Sequence, residues 1–170
     1  ALKLNKNESA INTLQNRPLG FEYVEFYLLE HLLGTAKLNK QDSTAIVHLA
    51  TFNANFKGIN YVKSNLKRMC WYYLVMGNQI KANQYKAAIL NNGYTINEDD
   101  KQAERFGKKQ LPNSDLLITR LYYDGGYVDL ASAAISVINV SSLTTLDLKA
   151  EYCYRKGHIL EKQGTIIPAL

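Results

Sequence analysis

Three glycines each precede an alanine by five residues, and this recurrence constrains the fold more than any other feature of the chain. The three pairs are Gly77 with Ala82, Gly126 with Ala131, and Gly164 with Ala169. Each glycine ends a helical run and each alanine lies early in the next run. A phosphate-binding loop would not recur at a fixed offset from a small residue. We therefore predict helix pairs whose corners need positive φ and whose alanines allow close approach of the second helix.

The runs between these corners have the apolar spacing of amphipathic helices. In EYVEFYLLEHLLGTAKL, apolar side chains recur every three to four residues, which places them on one face. Short β-branched runs such as ISVINV lie inside the same periodicity. The chain has 170 residues, of which 46% are hydrophobic, enough for one domain with a continuous core. We predict a single all-α domain.

The spacing of the small residues divides this domain into repeats. Ala45 and Ala82 are 37 residues apart, Ala131 and Ala169 are 38 apart, but Ala82 and Ala131 are 49 apart. The polar segment 94–112 accounts for the excess, and we expect an exposed insertion there, as a loop or a short helix. The predicted order is a leading helix at 1–19, then helix pairs at 20–56, 57–93, 113–140 and 146–170, the last truncated.

One segment resembles a tetratricopeptide repeat. In AEYCYRKGHILEKQGTIIPA, Gly157 falls at the repeat's small position eight, Leu160 at its large position eleven, Gly164 at the corner and Ala169 at position twenty. Residues 31–78, 111–135 and 150–164 are similar to a group of uncharacterised bacterial tetratricopeptide proteins. The resemblance implies a right-handed α–α superhelix, or solenoid, with a binding role, because that group has no assigned catalytic residues.

The two ends of the chain suggest a fragment or a processed product. The chain begins without an initiator Met or a signal-peptide pattern. The sequence contains no run of about 18 apolar residues, so no segment is expected to span a membrane. The final TIIPAL is apolar, whereas a solenoid end normally has a polar cap. We expect either that the native chain continues past Leu170 or that another molecule, such as a second copy, covers this edge.

The fold implied by the resemblance also predicts a binding surface. In stacked helix pairs the first helices line a concave groove, where partner peptides bind. Nine groove residues mix aromatic and charged side chains, as recognition surfaces do: His31, Lys67, Trp71, Arg120, Tyr123, Asp124, Tyr154, His158 and Glu161. Two simpler interpretations stay open, namely that Trp71 and Tyr154 belong to the core, and that Arg120 only pairs with Asp124 one turn away.

The net charge of +5 is concentrated in the first half of the chain. Residues 1–85 carry ten Lys and Arg against five Asp and Glu, and no acid occurs between Asp42 and Glu98. Six cations lie in that interval among aromatic residues: Lys57, Lys63, Lys67, Arg68, Lys81 and Lys86. Such a mixture can bind single-stranded nucleic acid through phosphate contacts and stacking. An acidic protein partner or an anionic surface accounts for the same charge with fewer requirements.

Catalysis has little support in the sequence. The three histidines lie on separate predicted helices, and no HExxH, GxSxG or Walker-type loop occurs. Cys70 and Cys153 lack metal-ligand spacing and are expected to be buried free thiols. Asp99 and Asp100 are expected to be solvated in the polar insertion. No cofactor or metal site is predicted.

The sequence therefore predicts a non-enzymatic scaffold that binds a protein or peptide segment in the groove of its helix pairs. A basic domain that binds single-stranded nucleic acid and a purely structural module of a larger protein are the alternatives.

Overall fold

The computed structural model describes residues 6–16 and 26–164 of the chain. Within these residues all regular structure is helical, with nine α-helices, a short 3-10 turn and no strand, which confirms the all-α prediction. The helices are α1 (Asn7–Gln15), α2 (Leu28–Asn39), α3 (Ala45–Asn55), α4 (Val62–Val75), α5 (Gln79–Asn91), α6 (Glu98–Gly107), α7 (Ser114–Gly125), α8 (Val128–Ser136) and α9 (Leu146–Lys162). Ala169 and the rest of TIIPAL lie outside the described residues.

The predicted glycine corners join α4 to α5 and α7 to α8. Gly77 and Gly126 have φ of 74° and 83°, the conformation expected at these positions, and Gly164 has φ of 72° after α9. At the first corner the Asn78 N–H donates to the Tyr73 carbonyl at 2.8 Å, which closes a Schellman motif. The glycines thus satisfy helix-terminal carbonyls while the chain reverses direction.

The corner between α2 and α3 has the same geometry without a glycine. Gln41 has φ of 63°, and the Asp42 N–H donates to the Lys37 carbonyl at 2.9 Å. The sequence predicted a corner here, inside the pair 20–56 and before Ala45, but the glycine pattern did not reveal that Gln41 adopts the positive φ. The three corners of pairs α2/α3, α4/α5 and α7/α8 are therefore equivalent in structure.

The small residues after the corners are buried where two helices meet. Ala45, Ala82 and Ala131 have no solvent exposure. Gly34 has a related role, since a Cβ there would lie 2.7 Å from the Leu49 side chain. Gly157 differs, because no described atom lies within 4 Å of a Cβ at this position and the residue is exposed. Among the described residues, nothing therefore supports the prediction that Gly157 is a close-packing position.

The first helices of the pairs pack on one another at the centre of the molecule. Helix α2 contacts α4, α4 contacts α7, and α7 contacts α9. Helix α2 also contacts α7, although one repeat separates them. Stacking between nearest neighbours alone, as in an open solenoid, would not produce that contact.

The segment 94–112 contains α6, which packs against α4 and α5 and contributes to the core. Ala103 is fully buried in a cluster with Leu49, Leu66, Met69 and Ile89.

Asp100, on the same helix, is fully buried. Its carboxylate accepts hydrogen bonds from the backbone N–H groups of Tyr61 (2.8 Å) and Ser64 (3.1 Å), at the start of α4. The expectation that Asp100 is solvated is wrong, because it satisfies N–H groups that a helix start leaves without partners. Its neighbour Asp99 is exposed, as expected.

Both cysteines are free, but only Cys70 is buried. The expectation of burial is wrong for Cys153, which lies on the outer side of α9. No helix in the described part of the chain is long and apolar enough to cross a bilayer.

Candidate functional site

A pocket of about 420 Å³ lies between α7 and α9. Five of the nine residues predicted for the binding groove line it: Arg120, Tyr123, Asp124, Tyr154 and His158. Thr119 and Arg155 complete the lining. Helices α7 and α9, which α8 separates in the sequence, thus place these five predicted groove residues around one cavity.

Side-chain caps fix where both pocket helices begin. The Asn113 side chain accepts hydrogen bonds from the N–H groups of Asp115 and Leu116 at the start of α7. Thr145 accepts from the Leu148 N–H at the start of α9. Because a cap fixes the first turn, it also fixes which residues of each helix face the pocket.

The α9 side of the pocket is largely aromatic. The rings of Tyr154 and His158 meet edge to face with centroids 4.4 Å apart, and Tyr123 on α7 lies 6.2 Å from His158. Tyr154 is 64% exposed, so the core interpretation does not apply to it. Glu161 lies at the rim, where its carboxylate is 3.4 Å from the His158 Nδ1. A large ring open to solvent beside polar groups is typical of a contact surface.

The charged groups of the pocket are partly paired. Arg120 Nε lies 3.3 Å from Asp124 Oδ2, and Arg155 Nε donates to Glu151 Oε1 at 2.9 Å. The simpler interpretation of Arg120 as a partner of Asp124 is therefore observed. Both pairs join residues one helical turn apart at partly exposed positions, so each contributes little to stability.

Burial raises the pKa of the Tyr123 phenol, and the negative charges of Glu161 and Asp124 raise it further. The phenol consequently stays protonated at neutral pH, and its hydroxyl can donate a hydrogen bond into the pocket.

Behind Arg120 lies a cluster of cations around Trp71. The Lys67 Nζ is 5.1 Å from the centroid of the indole ring, and the guanidinium carbons of Arg68 and Arg120 are each 4.9 Å from it. Trp71 itself is 3% exposed and packs in the core with residues such as Leu74. Arg120 thus belongs both to this cluster and to the pocket.

Two cations of this cluster have perturbed pKa values. Burial, followed by the charges of Arg68 and Arg120, lowers the pKa of Lys67 to about 7. Burial and the charge of Arg120 lower the pKa of Arg68 to about 10. Like charges held together away from water account for both shifts.

His31 does not lie at this site. Its side chain is buried between Phe52 and Tyr61, and its Nδ1 lies 3.0 Å from the Asn65 side-chain oxygen. Burial lowers the pKa of His31 to about 4, so the ring is neutral at physiological pH. The prediction that His31 faces a groove is wrong, because the residue is part of the core.

Lys67 and Trp71 are also buried, at 4% and 3% exposure, and so do not form an open surface as predicted. The core interpretation of Trp71 is correct.

Many side chains of the basic stretch between Asp42 and Glu98 form contacts with other residues of the fold. Lys63 Nζ donates to the Ile89 carbonyl at 2.7 Å, near the end of α5. The rings of Tyr73 and Tyr85 are stacked at 5.3 Å, and those of Phe52 and Phe56 at 4.5 Å. In each pair the two rings cover one face of each other, and that face is not available to a base.

A second groove, which the sequence interpretation missed, lies between the ends of α3 and α5. It has a volume of about 440 Å³, and its apolar lining includes Phe52, Phe56, Ile59, Val62, Leu66 and Tyr94. The sequence contains the apolar residues Phe56, Ile59 and Tyr94 of this groove, but the loop FKGINY was interpreted there for the charge of Lys57.

The pocket between α7 and α9 lies beside Glu161, which is exposed and close to His158. Its one aliphatic hydroxyl, on Thr119, donates to the Asp115 carbonyl at 3.0 Å. No group of three or more His, Cys, Asp or Glu side chains among residues 6–16 and 26–164 could hold a metal ion. These features suit binding by contact and hydrogen bonding.

Comparison of the chain with known proteins finds no matching family model, no matching curated protein and no matching solved structure.

Proposed function

We propose that this chain is a non-enzymatic binding domain that holds a protein or peptide segment in the pocket between α7 and α9. One observation carries the proposal: Arg120, Tyr123, Asp124, Tyr154 and His158, from two capped helices, line a single cavity of about 420 Å³. Aromatic rings and Arg side chains are the groups that contribute most to protein recognition.

The pocket offers three kinds of contact to a peptide. The exposed Tyr154 ring provides apolar area, the Tyr123 hydroxyl provides a donor, and Arg120 provides a cation that Asp124 only partly neutralises. The helices that carry them pack on the rest of the core without a ligand, so little ordering entropy would be lost on binding. An acidic segment fits this surface better than a basic one.

A tetratricopeptide-like solenoid is the architecture that we propose for this scaffold. The equivalent corners of pairs α2/α3, α4/α5 and α7/α8 support it. The contact between α2 and α7 gives the stack a tighter centre than an open superhelix would have.

A selection of random peptides on the immobilised domain tests this function. Peptides that bind the unmodified domain are measured again against Tyr154→Ala and against Lys149→Ala, an exposed control on the same helix. We expect Tyr154→Ala to weaken binding about tenfold or more, since loss of a central aromatic anchor typically has that effect. Lys149→Ala should change binding less than about twofold, because exposed residues outside the contact contribute little.

Two results would contradict the proposal. In one, the selection enriches no peptide over a blank support. In the other, every enriched peptide binds Tyr154→Ala as tightly as it binds the unmodified domain.

A further inference from the structure

Three positively charged side chains meet at Trp71, with the carboxylates of Asp99 and Asp100 also in the neighbourhood. Lys67, Arg68 and Arg120 all approach one indole ring within 5.1 Å. Arg120 pairs with Asp124 at 3.3 Å. Among the described residues, no carboxylate forms an ion pair with Lys67 or Arg68. Three like charges that share a largely buried volume repel one another, and an added anion would relieve that repulsion.

Two hydrogen-bond donors in the same cluster lack an acceptor. The Nε of Arg68 and the indole Nε1 of Trp71 are both buried, and neither has a partner among the described residues. Buried donors in folded proteins nearly always have partners, because leaving one unpaired is costly. Within the described part of the chain neither donor has an acceptor, and a bound anion would supply one.

The chemistry of these groups favours a phosphate-sized oxyanion. Guanidinium groups and an ammonium group form short, charge-assisted hydrogen bonds with phosphate oxygens, and arginine is well suited to bidentate contact. Phosphate carries up to two negative charges near neutral pH, and two cations of the cluster, Lys67 and Arg68, lack a paired acid.

We propose that Lys67, Arg68 and Arg120 form a phosphate-binding site at the inner edge of the pocket between α7 and α9. A phosphate would enter past Arg120, whose side chain is 39% exposed. This side chain lines the pocket and also lies over the Trp71 ring. The phosphate would take the place of Asp124 as the partner of Arg120. This inference rests on the proposed function in one respect: of the peptide segments that the pocket binds, those with a phosphorylated residue should bind most tightly.

Trp71 is the only tryptophan of the chain, so its fluorescence reports directly on the site. The full domain is titrated with inorganic phosphate at constant ionic strength, maintained with chloride, so that general screening stays unchanged. We expect a saturable change for the unmodified protein. Lys67→Met should weaken phosphate binding at least about tenfold, the usual effect of losing one charged hydrogen bond. Lys57→Met, which removes the same charge from an exposed loop, should not.

Thermal unfolding provides a second reading that does not depend on the fluorescence of the variant. Phosphate should raise the Tm of the unmodified protein and of Lys57→Met, but not that of Lys67→Met, because a ligand stabilises only the state that binds it. Arg120→Gln serves as a second variant with the same expectation.

Two arms distinguish the source of the phosphate group. Peptides selected on the pocket are prepared with and without one phosphoserine. Tighter binding of the phosphorylated form, lost in Lys67→Met, supports a phosphorylated segment as the source. Saturable binding of inorganic phosphate with no effect of phosphoserine supports the site with free phosphate as its ligand. After this second result, the effect of Tyr154→Ala on peptide binding would be the remaining test of the proposed function.

The inference is overturned if neither fluorescence nor Tm responds to phosphate, or if Lys67→Met and Lys57→Met respond alike. Peptide binding that depends on Tyr154 but is insensitive to phosphate would preserve the proposed function and overturn this inference alone.

Discussion

Lys67 is a cation that the fold holds away from water beside two other cations. Its Nζ lies against the Trp71 ring, with Arg68 on the same helix and Arg120 on α7. Burial and these two charges lower its pKa to about 7, from an ordinary value of 10.5, and the nearby carboxylates of Asp99 and Asp100 only partly oppose the shift. The folded state therefore releases this proton more readily than the unfolded state does.

This difference predicts a pH-dependent effect of Lys67→Met. Between about pH 7 and 10.5 the unfolded chain keeps the proton and the folded chain loses it, so the free energy of unfolding of the unmodified protein rises with pH. The stability of Lys67→Met relative to the unmodified protein should therefore fall by up to about 1.4 kcal/mol per pH unit in that interval. Urea denaturation from pH 6 to 10 in phosphate-free buffer measures it. Parallel curves for the two proteins would contradict the burial of a charged Lys67.

The sequence placed Lys67 and Trp71 on one helix face, since they are four residues apart, and the structure has them together. The sequence did not reveal that this face of α4 is covered by other helices. Burial of Lys67 depends on the packing of α7 against α4, a contact between residues about fifty positions apart that helical periodicity does not encode. His31 was misassigned for the same reason, because its partner Asn65 lies on another helix.

Helix α6 is joined to the start of α4 by one carboxylate, in addition to the packing of Ala103. Asp100 accepts from the N–H groups of Tyr61 and Ser64, which begin α4. We predict that Asp100→Ala lowers the free energy of unfolding by about 1–3 kcal/mol, since two buried donors lose their acceptor. Asp99→Ala should stay within about 0.5 kcal/mol, because Asp99 is exposed. Equal effects in chemical denaturation would show that α6 does not cap α4.

Substitution by alanine should have opposite effects on stability at Gly126 and at Gly157. Gly126 has φ of 83°, so Gly126→Ala should destabilise by roughly 1–2 kcal/mol. Gly157 lies inside α9 with no described atom near an added Cβ, so Gly157→Ala should stabilise by about 0.5–1 kcal/mol. Measured Tm values of the two variants test this contrast. A loss of stability in Gly157→Ala would restore it as a close-packing position.

At the level of helices, glycine and alanine spacing predicted the corners well because turn chemistry is local. The corner before Ala45 was also predicted, but its positive φ at Gln41 was not, because glutamine adopts that conformation at a cost that only the surrounding packing reveals. Helix α6 was underestimated because its sequence is polar, and its burial comes from Ala103 and a hydrogen-bonded acid rather than from an apolar stripe.

For the whole molecule, the contact of α2 with α7 has a functional consequence. It brings the first and third helix pairs together around α4, and this arrangement packs Trp71 with Leu38 of α2 and Leu121 of α7. The open surface is thereby left to the later helices α7 and α9. The predicted groove divides accordingly into a buried half, with His31, and an exposed half, with Tyr154.

Two of the cavities in the described part of the molecule allow a direct test of where the peptide binds. One lies between α7 and α9, and the other, apolar groove is formed around Phe56, Ile59 and Tyr94. The decisive measurement is a map of amide and Trp71 indole chemical-shift changes in ¹H–¹⁵N NMR spectra as a selected peptide is added. We predict that the changes concentrate at residues 119–124 and 154–161. Changes confined to residues 52–62 and 85–94, or spread evenly over the domain, would contradict the account.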